Sequence, residues 1–221
     1  MSTDTPIIDS AYRTILAPAR IEIVVHKSRF VGLALPAHSE EDALRSIRDT
    51  KKAFRTATHY CYAYVIGANA GIMRYSDDGE PSGTAGLPIM GVLQNNGIVN
   101  ICAMVVRYFG GTLLGTGGLV RAYGGACALA VEKAKIVVME PTRRMTVLIP
   151  YPMWGKVQHA LNTSSIVLTE ETTYGISVVV TLLVRDENIG AVSISLQNLL
   201  NQTVDYELSD IFMYHWPPAE D

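Results

Sequence analysis

Two stretches of this chain concentrate residue types that can bind or act on a charged ligand. The stretch Arg107–Gly125 reads RYFGGTLLGTGGLVRAYGG and contains seven of the chain's 18 glycines. The stretch Arg74–Gly86 reads RYSDDGEPSGTAG and contains three carboxylates within four residues. Glycines let backbone approach a ligand closely, and carboxylates bind cations or act as general bases. The sequence therefore predicts a site made of exposed backbone and a few charges.

The glycine-rich stretch joins a strand pattern to a helix pattern. In a strand, glycine turn and helix, the backbone N–H groups at the helix start face an anion, and the helix dipole adds about half a positive charge. The alternative is that the glycines only allow close helix–sheet packing. No GK[ST] follows, so the stretch is not a Walker motif, and GTGGLV matches a dinucleotide fingerprint only loosely. The glycines predicted to approach an anion are Gly110, Gly111, Gly115, Gly117 and Gly118.

Arginines and tyrosines lie among these glycines. Arg107 ends the strand and Arg121 follows Gly118 by three residues, so both are expected to face the anion. Tyr108 and Tyr123 are expected to stack on a base. These side chains favour a nucleotide or nucleic acid as the ligand.

The acidic loop contributes Asp77, Asp78 and Glu80. Three carboxylates at this spacing can hold a divalent cation or supply a general base. The favoured alternative is a turn, which Asp-Asp-Gly promotes, with its acids paired to arginine. The candidate partners are Arg74, Arg107 and Arg121.

His59 and Cys61 lie two residues apart on a predicted strand and so share a face. That spacing allows a Cys–His nucleophile, but a structural histidine is favoured. The chain's three cysteines stand in apolar segments without a CxxC pair. They predict buried thiols in a reducing, cytoplasmic compartment.

Alternating and capped segments predict the elements that position these residues. Ser39 is the expected N-cap of the first helix, with acids in its first turn. Gly124 and Gly125, inside the third helix, each cost about 1 kcal/mol and predict close packing or the close approach of another group there. The strands are predicted within Arg20–Ala37 (two), Thr58–Gly67, Gly71–Ser76 and Asn100–Phe109, and the helices after Ser39 and at Leu87–Asn96 and Leu119–Ala134.

Pro141 and the pair Arg143–Arg144 predict a domain boundary, giving domains 1–138 and 139–221. The second domain has the order β-α-β-β-α-β of a ferredoxin-like unit, and Asp186 is its expected second N-cap. The fold class is therefore α+β. The predicted elements are strand Met145–Ile149, helix Met153–Asn162, strands Ile166–Tyr174 and Ile176–Val184, helix Glu187–Asn201 and strand Val204–Tyr214.

Charge separates the two domains. The first carries 14 basic and 11 acidic residues and the second 4 and 10, for a total of −3. The acidic second domain is expected to contact a protein partner or to limit non-specific binding. No apolar run reaches the length of a signal peptide or a membrane span, so no membrane association is expected.

Four segments resemble the signature blocks of the Impact/YigZ family: KSRF, THYCYAYVIG, SDDGEPSGTAGLPI and VVRYFGGTLLGTGGLVRAYGGA. The resemblance covers most of residues 20–135. It implies that the first domain has the fold of the second domain of a small-subunit ribosomal protein, shared with elongation factor G and GHMP-type kinases. It also implies a second domain similar to the ferredoxin-like domains of elongation factor G.

The family's eukaryotic members regulate translation initiation on ribosomes, and its bacterial members are proposed to bind nucleic acid. Some carry a dipeptidase label, for which this chain offers no metal-ligand set. The resemblance adds Lys27, Arg29 and His59 to the candidate site. The residues predicted to contact nucleic acid or another anion are Lys27, Arg29, His59, Arg107, Tyr108, Gly110, Gly111, Gly115, Gly117, Gly118, Arg121 and Tyr123.

We therefore predict a cytoplasmic protein that binds RNA or the ribosome and regulates translation. Two alternatives stay open. One is an enzyme in which the acidic loop holds a divalent cation or acts as a base, while the glycine-rich loop binds a phosphorylated small molecule. Apart from such a cation, no cofactor is expected. The other is a protein-binding module. A binding role is favoured over catalysis.

Overall fold

The computed structural model describes residues 10–217, which form two compact units. The first unit comprises Tyr12–Val138. The second begins at Met139 and also includes Ser10 and Ala11. Within residues 10–217, no helix has both the length and the apolar composition needed to cross a bilayer. Antiparallel sheets packed with helices confirm the α+β class.

The first unit contains a five-stranded antiparallel sheet in the order β2 (Ala19–Val25), β3 (Ser28–Pro36), β6 (Ile101–Tyr108), β4 (His59–Ile66) and β5 (Ile72–Ser76). Its strands and helices match the predicted ones apart from their ends, except that the strand Tyr12–Ile15 and the strand start at Ile136 were not predicted. They are β1 (Tyr12–Ile15), β2 (Ala19–Val25), β3 (Ser28–Pro36), α1 (Glu40–Ala53), β4 (His59–Ile66), β5 (Ile72–Ser76), α2 (Gly86–Asn95), β6 (Ile101–Tyr108), α3 (Gly115–Ala134) and the start of β7 (Ile136–Ile149).

The central strand β6 is covered on both faces, which explains its almost continuous apolar sequence. Ala103 and Val105 pack in the cluster that contains residues of α2 and α3. Met104 and Val106 pack in the cluster that contains residues of α1. Because side chains alternate along a strand, Arg107 shares the face of Ala103 and Val105. The strand therefore directs an arginine toward the layer formed by α2 and α3.

Helix α1 begins as predicted, with a capping box between Ser39 and Asp42. Helix α3 begins at Gly115, four residues before the predicted start at Leu119. Part of the predicted glycine loop is therefore the first turn of a helix. This matters for the site, because first-turn N–H groups lack intrahelical acceptors.

The prediction that Gly125 marks close packing is wrong. A Cβ at Gly125 would meet no described atom within 4 Å, and one at Gly124 would meet only Pro88 Cβ at 3.8 Å. The close approach is instead at Gly32 of β3, where a Cβ would lie 2.4 Å from the carbonyl oxygen of Ala126. Helix α3 can therefore pack closely against the sheet because Gly32, on the strand, has no side chain.

In the second unit, β7 pairs antiparallel with β9 (Val178–Arg185), and β9 pairs with β8 (Val167–Tyr174). The predicted final strand is two short strands that both pair with β7. Asp186 is not an N-cap: a 3-10 turn, Asp186–Asn188, precedes the helix, and Asp186 accepts a 2.6 Å hydrogen bond from Arg143. The elements are α4 (Tyr151–Asn162), β8 (Val167–Tyr174), β9 (Val178–Arg185), α5 (Ile189–Leu200), β10 (Tyr206–Leu208) and β11 (Phe212–Tyr214).

Candidate functional site

The acidic loop, the end of β6 and the start of α3 surround one cleft of about 440 Å³ in the first unit. Its polar lining includes His59, Glu80 and Arg107, and the first turn of α3 forms part of its wall. The two stretches singled out in the sequence therefore meet in space. Its apolar lining consists of Pro81, Phe109, Leu113, Leu114 and Leu119.

A buried ion pair lies beside this cleft. Arg107 donates to Glu80 Oε1 at 2.6 Å, and the hydroxyl of Tyr123 donates to the same oxygen at 2.7 Å. Arg107 is 4% exposed and Glu80 8%. The prediction that Arg107 binds a phosphate is therefore wrong, because its guanidinium is bound to Glu80. The alternative that an acid of this loop pairs with an arginine is correct for Glu80. Within residues 10–217, Arg107 Nε is buried without a hydrogen-bond partner.

Tyr123 does not serve as a stacking platform. It is 0% exposed, and its ring packs edge-on against Phe30 with 5.2 Å between the centroids. Burial, together with Cys61 and Glu80 nearby, raises the pKa of its hydroxyl far above the ordinary value. The hydroxyl is therefore a neutral donor that helps to hold Glu80.

Tyr108 and Arg29 contact each other and do not line the cleft. The Arg29 guanidinium lies 4.0 Å from the centroid of the Tyr108 ring and 3.6 Å from Glu22. The exposed aromatic side chain of the cleft is Phe109, which is 47% exposed. Its backbone N–H donates to Thr58 Oγ1 at 3.0 Å. Sequence reasoning missed Phe109, although its place at the strand end, beside Tyr108, could have indicated it.

The three carboxylates of the acidic loop serve different purposes. Asp77 accepts hydrogen bonds from the N–H groups of Gly83, Ala85 and Gly86, at the start of α2. Asp78 accepts from Tyr60 N at 2.7 Å and from Lys51 at 3.1 Å. With Glu80 bound to Arg107, no three His, Cys, Asp or Glu side chains of the described chain converge as a metal-ligand set. The carboxylates of this loop organise the fold around the cleft.

Asp77→Asn is expected to lower the free energy of unfolding by about 1 kcal/mol near neutral pH, since it weakens a helix cap. Burial opposes the ionisation of Asp77, but its three backbone hydrogen bonds outweigh burial and hold its pKa below the ordinary 3.8. A carboxylate whose pKa is lower in the folded than in the unfolded state stabilises the fold at pH values above its unfolded-state pKa. That stabilisation is lost as the pH falls through its folded-state pKa. Urea unfolding at neutral pH and near pH 3 should therefore show the difference from wild type shrinking in acid. A difference that stays constant with pH would contradict this account.

His59 lies directly opposite Arg107 in the register between β4 and β6. Its Nδ1 is 2.9 Å from the carbonyl oxygen of Asp78, and its Nε2 is 3.8 Å from Glu80 Oε1. Because a carbonyl only accepts, Nδ1 carries a proton. The Cys61 thiol donates to the carbonyl oxygen of Asp77, and burial raises its pKa to about 12. His59 and Cys61 therefore do not form a nucleophile pair.

The glycine loop combines close packing with turns. The N–H of Gly110 donates to Ser28 Oγ at 3.2 Å, and a Cβ there would lie 2.0 Å from the Lys27 backbone. The packing alternative is therefore correct at Gly110. Gly111 and Gly115 have positive φ angles of 81° and 68°. The side chain of Lys27 is exposed and does not line the cleft.

At the start of α3, anion binding stays a prediction. No described side chain caps it, and its first turn, which includes Gly117 and Gly118, contains no acid. Arg121 is exposed, and its NH1 lies 3.6 Å from where a Cβ of Gly117 would be. The guanidinium therefore lies beside the first turn of α3.

Known proteins share this arrangement of segments. The Impact N-terminal domain model matches residues 26–131. The chain is 36% identical over 201 residues to the IMPACT family member YvyE of Bacillus subtilis, covering 91% of this chain and 92% of that protein. It is 39% identical over 139 residues to YigZ of Escherichia coli, covering 62% and 65%.

Among solved structures, a crystal structure described only as that of a hypothetical protein is 29% identical to this chain. It superposes with a TM-score of 0.58, covering 89% of this chain and 96% of the other. Its likeness extends over nearly all of both chains, as the likeness to YvyE does. The chain belongs to the IMPACT family.

Proposed function

We propose that this chain is an RNA-binding protein that acts on the ribosome and contributes to the regulation of translation. One observation carries the proposal: the uncapped start of α3 lies on the wall of a cleft, with the exposed Arg121 beside it. A helix start with free N–H groups and a neighbouring arginine attracts phosphate. Family membership gives the context, while the names of the relatives state no activity.

The residues that line the cleft, together with Arg121 beside the first turn of α3, divide the binding of a nucleotide between them. The first-turn N–H groups of α3 and the Arg121 guanidinium would hold a phosphate. Phe109 and the exposed Leu113 offer an apolar surface on which a base can stack. Phe109 thus takes the stacking role that was predicted for Tyr108 and Tyr123.

The element order of the second unit also supports a place near the ribosome. Its order β-α-β-β-α-β, with β10 and β11 beside β7 and β9 between β7 and β8, fits the expected ferredoxin-like fold. We also propose that this unit is similar to the ferredoxin-like domains of elongation factor G. The first unit would likewise be similar to a ribosomal-protein domain. The acidic second unit would then contact a protein partner. The metal-dependent alternative is not retained, because the acidic-loop carboxylates already bind protein groups.

The test is fluorescence anisotropy of a labelled single-stranded RNA, and sedimentation with purified ribosomes, at two salt concentrations. Arg121→Ala is expected to weaken RNA binding about tenfold. It should also reduce the slope of log affinity against log salt concentration by about one, the value of one phosphate contact. Arg48→Ala is the matched control. Arg48 is an exposed arginine of α1, whose buried residues Ala43 and Ile47 belong to the cluster on the opposite sheet face. Equal effects of the two variants, or no binding by the wild type, would contradict the proposal.

A further inference from the structure

The cleft has fewer positively charged side chains than a surface that binds along a nucleic-acid backbone needs. Of its described lining residues, Arg107 is the single Lys or Arg, and it is bound to Glu80. Arg121 adds one charge next to the first turn of α3. A protein that tracks several phosphates presents a groove of positive charge. The arrangement here suits one anionic group beside an apolar surface.

The donors gathered at the start of α3 suit a phosphomonoester. Such a group carries about −1.5 to −2 charges and three acceptor oxygens, whereas a phosphodiester carries one charge and continues as chain in both directions. The available donors are the first-turn N–H groups, the hydroxyl of Thr116 and the guanidinium of Arg121. A second observation points to a ligand. The Nε of Arg107, a residue that lines the cleft and is 4% exposed, has no partner within residues 10–217.

We propose that the cleft binds one nucleotide through a phosphomonoester, either the phosphorylated end of an RNA or a free nucleoside monophosphate. The phosphate lies at the first turn of α3, and the base packs against Phe109 and Leu113. The choice of an RNA end as the source of this phosphate rests on the proposed function. The cleft volume of about 440 Å³ accommodates a single nucleotide.

The experiment compares one short RNA with a 5′-phosphate, a 3′-phosphate or hydroxyls at both ends, by anisotropy with an internal label. We expect a terminal phosphate to tighten binding about tenfold, since it adds charge-assisted hydrogen bonds. Adenosine 5′-monophosphate should compete for the site, and adenosine should not. A preference for either phosphorylated end supports the proposal.

Thr116→Asp tests the location of the phosphate. A carboxylate in the first turn places a negative charge where the phosphate would bind, while it stabilises the helix. The variant should lose the preference for phosphorylated ends and keep a normal unfolding transition. Thr116→Asn, which has the same shape without the charge, should retain the preference. An unchanged preference in Thr116→Asp overturns the proposed site.

The outcomes separate this inference from the proposed function. RNA that binds equally well with and without a terminal phosphate overturns the inference and leaves the RNA-binding role intact. Binding of adenosine 5′-monophosphate without any RNA binding supports the phosphomonoester cleft and overturns the RNA-binding role. Failure of every probe overturns both.

Discussion

Replacing Glu80 with alanine is expected to lower the free energy of unfolding of the first unit by about 3–5 kcal/mol, because it leaves a buried arginine without its counter-charge. Arg107 is 4% exposed and has one carboxylate partner. The substitution also removes the acceptor of the Tyr123 hydroxyl, which is itself fully buried. A buried donor that loses its acceptor adds a further desolvation cost.

The measurement is urea unfolding followed by far-UV circular dichroism. Both tryptophans, Trp154 and Trp216, lie in the second unit, so tryptophan fluorescence reports separately on that unit and should change little. The matched control is Lys52→Ala, which breaks the exposed pair with Asp49 and should cost less than about 1 kcal/mol.

The double variant Glu80→Gln/Arg107→Met separates loss of charge balance from loss of packing. It removes both charges and retains most of the side-chain volume, so it should be more stable than Glu80→Ala alone. If Glu80→Ala lowers the free energy of unfolding by less than about 1 kcal/mol, water reaches Arg107 and the Arg107–Glu80 pair is not shielded from solvent.

Gly110→Ala is expected to destabilise the first unit by about 3 kcal/mol, the upper end of the usual cost of overpacking. The added Cβ would lie 2.0 Å from the backbone carbon and oxygen of Lys27. Because both atoms are backbone, no side-chain rotation can relieve the overlap. Moving the chain apart would also break the hydrogen bond from Gly110 N to Ser28 Oγ.

Two other glycines provide controls for this experiment. Gly111→Ala places a Cβ with no described atom within 4 Å, so its cost should be only that of a positive φ, about 1 kcal/mol. Gly125→Ala lies inside α3 in open space and should stabilise the helix by up to about 1 kcal/mol. The measurement is the urea midpoint of each variant. If Gly110→Ala is no worse than Gly111→Ala, the close approach to Lys27 is not a constraint.

Local sequence signals determined the elements of this fold. Ser39 with Asp42 fixed the start of α1, because the capping contacts span only four residues. The apolar run of β6 and the alternation of β4 indicated strands, because burial on one or two faces is visible in the period of the sequence. The family resemblance rested on the same segments and was confirmed. The resemblance added His59 to the candidate site, and the structure places it beside the acidic loop and the glycine stretch.

Only the tertiary structure decided which charges are free. Arg107 and Arg121 are alike in sequence, each near the glycines, yet one is buried against Glu80 and the other is exposed beside the start of α3. Tyr123, which was expected to stack on a base, is buried, whereas Phe109, for which no role was predicted, is exposed in the cleft. The reason is physical: burial depends on which strand lies at the centre of the sheet and on how closely α3 approaches at Gly32. Both depend on contacts between residues that are far apart in the chain, and such contacts have no local pattern.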